Sequence, residues 1–356
     1  MVDELRVRKG SPSVRLTRDE FRERFRAQFL DPAYEAVHRE LDAIEAVAWD
    51  AYEHSRKSPR TREAGPGFDD PTYELSIEWL AARDAVRDAQ RLHDESSRHR
   101  VLVINGASRS EHTCPSEVSK SFRLIEEASD ELRAAGCHVD LLDLSNLASE
   151  YGRRIYPCKA CVSTAMPLCH WPCSCYPNHA LGQTLDWMNE LYPRWVAAHA
   201  IAIVTPVYWL QSPSPLKLML DRLVCADGGN PDPTTTHGKD AAKAKAIELA
   251  GWPYPRHLAG RTFSVIVHGD AEGAESVRRA LGDTLASMGL EPAIGAQLDR
   301  YLGYMAPYAT SHEALDEDAD LVVEVRNAMR VLVERTHQLR AGVPRPAATV
   351  TEPRPK

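Results

Sequence analysis

From residue 100 onward, short apolar runs alternate with segments whose apolar residues recur every three or four positions. That alternation restricts the chain to few architectures. The strand-like runs are "RVLVINGAS" (100–108), "CHVDLLDLS" (137–145), "AIAIVTPVYW" (200–209), "RTFSVIVHGD" (261–270) and "EPAIGAQLD" (291–299). Several are apolar without alternation, as strands buried on both faces are. Between them lie helical stripes: Val118, Phe122, Ile125 and Leu132 in 115–135; Leu181, Leu185, Met188 and Leu191; Leu216, Leu220 and Leu223 after Ser214-Pro215; and Val277, Leu281, Leu285 and Met288. Gly136 and Gly289 sit where helices end. A last helix is expected from Glu313 to Gln338. Five β/α units predict an α/β fold with a doubly wound parallel sheet.

The first hundred residues read differently. Thr17 and Glu20 form a capping-box pattern followed by Phe21, Phe25 and Phe29 at helical spacing. Asp31-Pro32 opens a second expected helix with Tyr34, Val37, Leu41 and Ile44 on one face. Residues 55–68 have the composition of a linker, and Asp70-Pro71 opens a third helix carrying Tyr73, Ile77 and Leu80. The predicted organisation is a helical N-terminal extension (1–97), a main domain (98–340) with a cysteine-rich insert (156–180) and a polar insert (226–258), and a disordered Pro-rich tail (341–356).

A chain of 356 residues with 43% hydrophobic content can bury a full core. Its net charge of -8 and pI of about 6.0 argue against a nucleic-acid partner. No stretch reads as a signal peptide or membrane span, so a cytoplasmic location and no membrane partner are expected.

In doubly wound sheets ligands bind beyond the carboxyl ends of the strands, where strand order reverses. The first such loop, "NGASRSEHTCPSE" (105–117), lacks the glycine pattern of a dinucleotide site. It offers Ser108, Arg109, Ser110, Thr113 and Ser116 instead. Hydroxyls and a cation beside a helix start suit a terminal monophosphate, and they also suit an ordinary polar loop. The third strand ends in Pro206, Val207, Tyr208 and Trp209, large apolar groups that would wall a flat ring or pack on the N-terminal helices. The fourth ends "VHGDAEG", with Gly269 and Gly273 able to pass close to the same ring.

The phosphate-type loop, "TPVYW…SPLKLMLDR" and "VHGDAEG" together resemble the NADPH-dependent FMN reductase family of flavodoxin-like proteins, over roughly residues 100–290. The resemblance implies FMN with its phosphate on Ser108, Arg109, Ser110, Thr113 and Ser116. It implies an isoalloxazine against Pro206, Val207, Tyr208, Trp209 and the loop His268, Gly269, Asp270 and Gly273. NAD(P)H as donor, a small-molecule or protein electron acceptor, and a homodimer or homotetramer follow from the same likeness. The N-terminal helices, whose apolar stripes need a surface, are expected to embrace the second subunit.

Five of the chain's eight cysteines fall in "YPCKACVSTAMPLCHWPCSCYPNHA": Cys158, Cys161, Cys169, Cys173 and Cys175. A reducing compartment disfavours disulfides there. Structural zinc, a redox-active Cys158-x-x-Cys161 pair and an iron–sulfur cluster all remain compatible with the spacing. The segment also looks like the compact cysteine motif of iron–sulfur flavoproteins, a branch of the same family, though seven residues here separate Cys161 from Cys169. That likeness implies a [4Fe–4S] cluster exchanging electrons with FMN, with zinc as the alternative. Cys158, Cys161 and Cys169 are its expected ligands together with Cys173 or Cys175, and Trp171, Pro167 and Pro172 would shield it. A plain FMN or quinone reductase and a non-enzymatic flavin carrier are the competing functions. His170 and His237 are lesser candidates, and Cys114, Cys137 and Cys225 are expected in core or loops.

Overall fold

The structure is a computed structural model and describes residues 5–114, 116–269, 272–302 and 307–344. Two compact units emerge, each assembled from separate stretches of chain.

The first unit comprises Met1–Ala85, Gly152–Asn189 and Gly228–Pro255. Its first helix, Arg18–Arg26, starts with the predicted capping box, in which the Glu20 carboxylate accepts from the Thr17 N–H at 2.8 Å. Phe21, Phe25 and Phe29 stack in sequence and reach Trp49, Tyr52 and Tyr34. Glu45 is buried on the helix His38–Glu53 and is held by Arg18 and Arg26. The Asp31-Pro32 signal opens a 3-10 turn, Pro32–Val37, rather than the helix itself.

Two further expectations fail here for local reasons. Asp70 does not cap a helix, because its carboxylate folds back on the Thr72 N–H and hydroxyl. The residues after it alternate, with Leu75 buried between exposed Glu74 and half-buried Ser76, so they form a strand before the helix Ile77–Glu95 begins. That strand, β2 (Glu74–Ser76), pairs antiparallel with β1 (Thr61–Glu63) in the supposed linker. Leu75, Trp79 and Leu80 form a small core with Phe68 and Tyr73. The cysteine segment and the insert join it: Trp79 Nε1 donates to Pro172 O at 2.9 Å, and the Asp69 and Asp70 N–H groups donate to Asp232 and Thr234. The polar insert carries a 3-10 turn, Pro233–Thr236, and a helix, Ala241–Leu249, capped by Asp240.

The second unit comprises Val86–Tyr151, Glu190–Asp227 and Arg256–Lys356. It contains β3 (Arg100–Asn105), β4 (His138–Asp143), β5 (Ala200–Pro206), β6 (Thr262–Gly269) and β7 (Glu291–Tyr301). All neighbours are parallel, in the order β4-β3-β5-β6-β7, as the five β/α units predict. On one face Val101, Val103, Ala202, Val204 and Ile266 pack beneath the helices Lys120–Ala134 and Ala319–Arg340. The intervening residues, among them Leu102, Ile104, Ile203 and Val265, point to the other face and are also fully buried. Each such side chain contributes about 1.5–3 kcal/mol by leaving water.

Helix boundaries shift where a better cap competes. The helix after β3 starts at Lys120, five residues late, because the Ser119 hydroxyl accepts from the Phe122 N–H. The expected helix from Glu313 to Gln338 divides into Ser311–Asp316 and Ala319–Arg340, since Asp318 caps the Leu321 N–H. Leu181 and Leu185 lie outside any α-helix and are exposed, and the helix there is Met188–Ala197. The Pro-rich tail from residue 345 lies outside the described residues.

Candidate functional site

Strand order reverses at β3, whose chain continues to β4 on one side and resumes at β5 on the other. Beyond the carboxyl ends of β3, β5 and β6 the loops leave a cleft of about 220 Å³. Its walls are Ala107, Arg109, Glu117, Ser119, Lys120 and Ser121 from the first loop and helix start, with Pro206, Val207 and Tyr208 from β5. His268 and Gly269 come from β6, and Tyr308, Ser311 and His312 from the C-terminal segment.

Backbone closeness builds the first loop. A side chain at Gly106 would place its Cβ 2.5 Å from Thr205 Oγ1, so glycine is required where β3 and β5 part. Arg109 pairs with Glu117, and its terminal nitrogen lies 3.3 Å from His312 Nε2. The Arg109 Nε is buried and has no hydrogen-bond partner among the described residues, a donor that a ligand oxygen would satisfy. The helix Lys120–Ala134 points its positive end into the same space, capped by Ser119. His268 is buried, its Nε2 2.7 Å from the Ser121 hydroxyl; burial, then Lys120 and His312, depress its pKa to about 3. The ring is therefore neutral at ordinary pH and serves as a fixed hydrogen-bonding partner.

Six of the predicted cofactor residues meet at this cleft: Arg109, Pro206, Val207, Tyr208, His268 and Gly269. Others do not line it. The Ser110 and Thr113 side chains are consumed in a local turn, where the Thr113 hydroxyl accepts from the Ser110 N–H and donates to its carbonyl. Ser108 is half-buried in the loop, and Ser116 is exposed with φ +67°. Trp209 is 98% exposed at the tip of a tight turn and walls nothing. Gly273 has φ +112°, and a Cβ there would come within 2.9 Å of Leu210 Cα, so it shapes the neighbouring loop. Asp270 lies outside the described residues. Ser119, Lys120, Ser121 and Glu117 escape sequence reading because the helix start is misplaced. Tyr308, Ser311 and His312 carry no motif that links them to β3.

The first unit holds the cysteines. Cys169, Cys173 and Cys175 are buried, and Cys158 and Cys161 half-buried. Cys161 Sγ lies 3.4 Å from Cys175 Sγ, and the Cys175 N–H donates to Cys173 Sγ at 3.5 Å. The Lys239 ammonium reaches Leu168 O at 2.8 Å and Cys161 Sγ at 3.8 Å, while the Lys57 ammonium donates to Ser174 O. Burial alone would depress Lys239, but the sulfurs of Cys175, Cys161, Cys173 and Cys169 outweigh it and raise its pKa. The hydrogen bond from Cys175 is the main cause that lowers Cys161 to about 7, with Lys239 assisting against burial. Cys158 stands apart, its Sγ accepting from the Ala160 N–H at 3.4 Å. His170 is no ligand: its ring nitrogens are engaged by Ser174 and Thr236, and burial keeps it neutral. His237 packs its ring against Tyr73. A cavity of about 270 Å³ adjoins this nest, lined among others by Lys57, Tyr73, His170, Ser174 and Lys239. Among the described residues, no three His, Cys, Asp or Glu side chains converge as they would on a single metal ion. Cys137 and Cys225 are buried, and Cys114 is exposed. Among the described residues no helix is long and apolar enough to cross a membrane.

The family profile described as NADPH-dependent FMN reductase matches residues 99–292. No curated protein matches the chain. Solved structures resemble the chain at low identity. A RosB crystal structure with a bound 8-demethyl-8-formylriboflavin-5'-phosphate intermediate is 14% identical, with 72% of this chain and 91% of that one covered and a TM-score of 0.49. An NAD(P)H:quinone oxidoreductase from Methanothermobacter marburgensis is 20% identical, with 66% and 98% covered and a TM-score of 0.39. A flavone reductase is 17% identical, with 68% and 64% covered and a TM-score of 0.40.

Proposed function

From its membership of the NADPH-dependent FMN reductase family, which makes this chain an NAD(P)H-dependent flavin oxidoreductase, we propose that it holds FMN in the cleft beyond β3, β5 and β6. The observation that carries the placement is the buried Arg109 Nε, without a hydrogen-bond partner among the described residues and set beside a helix start. Arg109, Ser119, Lys120 and Ser121 would take the phosphate, and Pro206, Val207, Tyr208 and Gly269 would line the ring. FMN, when bound, accepts a hydride from the nicotinamide and releases electrons singly or in pairs. The chain itself binds, orients and excludes water. His268 stays uncharged and fixes the Ser121 hydroxyl, Gly106 lets the loop lie against β5, and Glu117 holds Arg109 in place.

The cysteine nest is read as the site of a [4Fe–4S] cluster that relays electrons from the flavin to a small-molecule or protein acceptor. What supports this is the donor chemistry: three buried thiols and a fourth, Cys161, with its Sγ 3.4 Å from that of Cys175. A cytoplasmic setting and a homodimer or homotetramer complete the proposal.

Anaerobic purification followed by flavin, iron, sulfide and zinc analysis tests both parts. One FMN with iron and acid-labile sulfide is the expected content. Zinc at one per chain without sulfide would replace the cluster with a structural ion, and flavin bleaching by NADPH distinguishes an enzyme from a passive carrier.

A further inference from the structure

The sequence pairs Cys161 with nearby Cys158, but the structure gives it a different neighbour. Cys158 Sγ accepts from the Ala160 N–H, whereas Cys161 Sγ lies 3.4 Å from Cys175 Sγ. That is contact distance for two sulfurs, against about 2.05 Å for the bond between them. The contact is held from both sides. Cys161 opens the short 3-10 turn Cys161–Ser163, in which the Ser163 N–H donates to Ala160 O at 2.9 Å. On the other side, the Ser174 hydroxyl lies 2.6 Å from His170 Nδ1, and the Tyr176 hydroxyl donates to Pro157 O at 2.7 Å. Tyr176 also stacks on Tyr156, with ring centroids 4.9 Å apart, so the chain before Cys161 is clamped to the chain after Cys175. Among the described residues this sulfur pair is not part of a converging group of three metal-ligating side chains.

We propose that Cys161 and Cys175 are a reversible dithiol–disulfide couple that exchanges with low-molecular-weight disulfides through Cys161. Cys161 is half-buried and Cys175 buried, so Cys161 is the sulfur a reagent reaches. The exposed Lys239 ammonium, 3.8 Å from Cys161 Sγ, stabilises negative charge on that sulfur as it attacks or leaves. Cys161 gives up its proton, attacks one sulfur of the reagent and forms a mixed disulfide, expelling the other half as a thiolate that takes a proton. Cys175 then loses its proton and attacks Cys161 Sγ, breaking the mixed bond and releasing the second half as a thiol. Two cysteine sulfurs are oxidised, the reagent's disulfide is reduced to two thiols, and the two protons balance. A closed bond withdraws both sulfurs from any metal, so closure and metal loading of the nest exclude each other. The couple belongs to the metal-free chain and does not rest on the cluster reading.

The test uses full-length protein freed of metal by anaerobic dialysis against a chelator, with glutathione disulfide as the probe. Thiols counted after denaturation should fall by two from eight, and dithiothreitol should restore them. Peptide mass spectrometry without reductant should show Cys161 joined to Cys175. Cys158→Ser should close the same bond, Cys175→Ser should stop at glutathione bound to Cys161, and Cys161→Ser should lose both products. A count that stays at eight would overturn the inference, as would Cys161 joined to Cys158 or to any cysteine other than Cys175. Because the linkage is read on the unsubstituted chain, the outcome does not depend on how the variants fold. Iron and acid-labile sulfide are measured first on the protein as purified. Their absence overturns the cluster reading and leaves the couple standing, whereas a cluster-bearing protein that keeps eight thiols once stripped overturns the couple alone.

Discussion

Arg109 shows how much one residue can reveal. It was legible in the sequence as the cation of a hydroxyl-rich loop, yet two of the hydroxyls around it, Ser110 and Thr113, are spent on the loop's own backbone. The reason is physical: a short polar side chain in a loop bonds its own backbone as readily as a ligand, and spacing does not distinguish the two. Arg109→Ala should weaken FMN retention by roughly 1.5–3 kcal/mol, the value of a charge-assisted contact, while leaving the unfolding transition of the apoprotein nearly unchanged. Equilibrium dialysis with FMN measures it, and full retention would move the phosphate elsewhere. His268 gives a second prediction. Its folded pKa of about 3 lies below the unfolded value, so its contribution is complete above about pH 6.5 and is lost as pH falls toward 3. The half-buried His93 and the buried His199, both depressed to about 4, act in the same direction. Urea unfolding at pH 7 and pH 5 should show stability dropping with acid by a few kcal/mol, on the order expected from such shifts. His268→Gln should flatten part of that slope; an unchanged slope would mean that His268 is not buried neutral.

At the scale of elements, strands were read well and helix starts poorly. The five sheet strands are continuous apolar runs that nothing but a buried sheet explains. The start at Lys120 depended on which of several hydroxyls caps it, a choice made by Ser119 in three dimensions. The turn after β5 went further astray, because sequence alone does not distinguish Tyr208 from Trp209. Tyr208 and Gln211 pair through both backbone hydrogen bonds, at 2.9 and 3.0 Å, which puts Trp209 and Leu210 at the tip with φ +49° and +64°. Two positive φ values suit Asn-Gly, and bulky residues there cost about 1–2 kcal/mol each. Trp209→Asn with Leu210→Gly should therefore raise stability by about 1–2 kcal/mol in urea unfolding, given that Trp209 is already exposed. A loss of stability would mean that the indole packs on something in solution.

The whole molecule departs most from a linear reading. Residues 1–85, 152–189 and 228–255 form one unit, although they are far apart in sequence and none of the three carries a stripe that names its neighbour. Their union combines a small apolar cluster of Ala165, Leu168 and Ala244 with polar contacts such as Trp79 to Pro172, Asp69 to Asp232 and Lys57 to Ser174, which no periodicity announces. It follows that deleting residues 1–95 is a poor probe of assembly, since it would strip Lys57 and Trp79 from the cysteine segment. The surface itself offers a better one. On the helix His38–Glu53, Leu41 is buried, but Ile44 and Val47 are 54% and 68% exposed, one turn apart, with Val37 at 40% just before the helix. Isolated exposed apolar residues are ordinary, whereas several on one helical face suit a contact between copies of the chain. Ile44→Lys with Val47→Lys should then reduce the mass measured by light scattering to that of a smaller species, with FMN content preserved because neither residue lines the cleft. An oligomer of unchanged mass in the double variant would show that this face is free and that any assembly uses another surface.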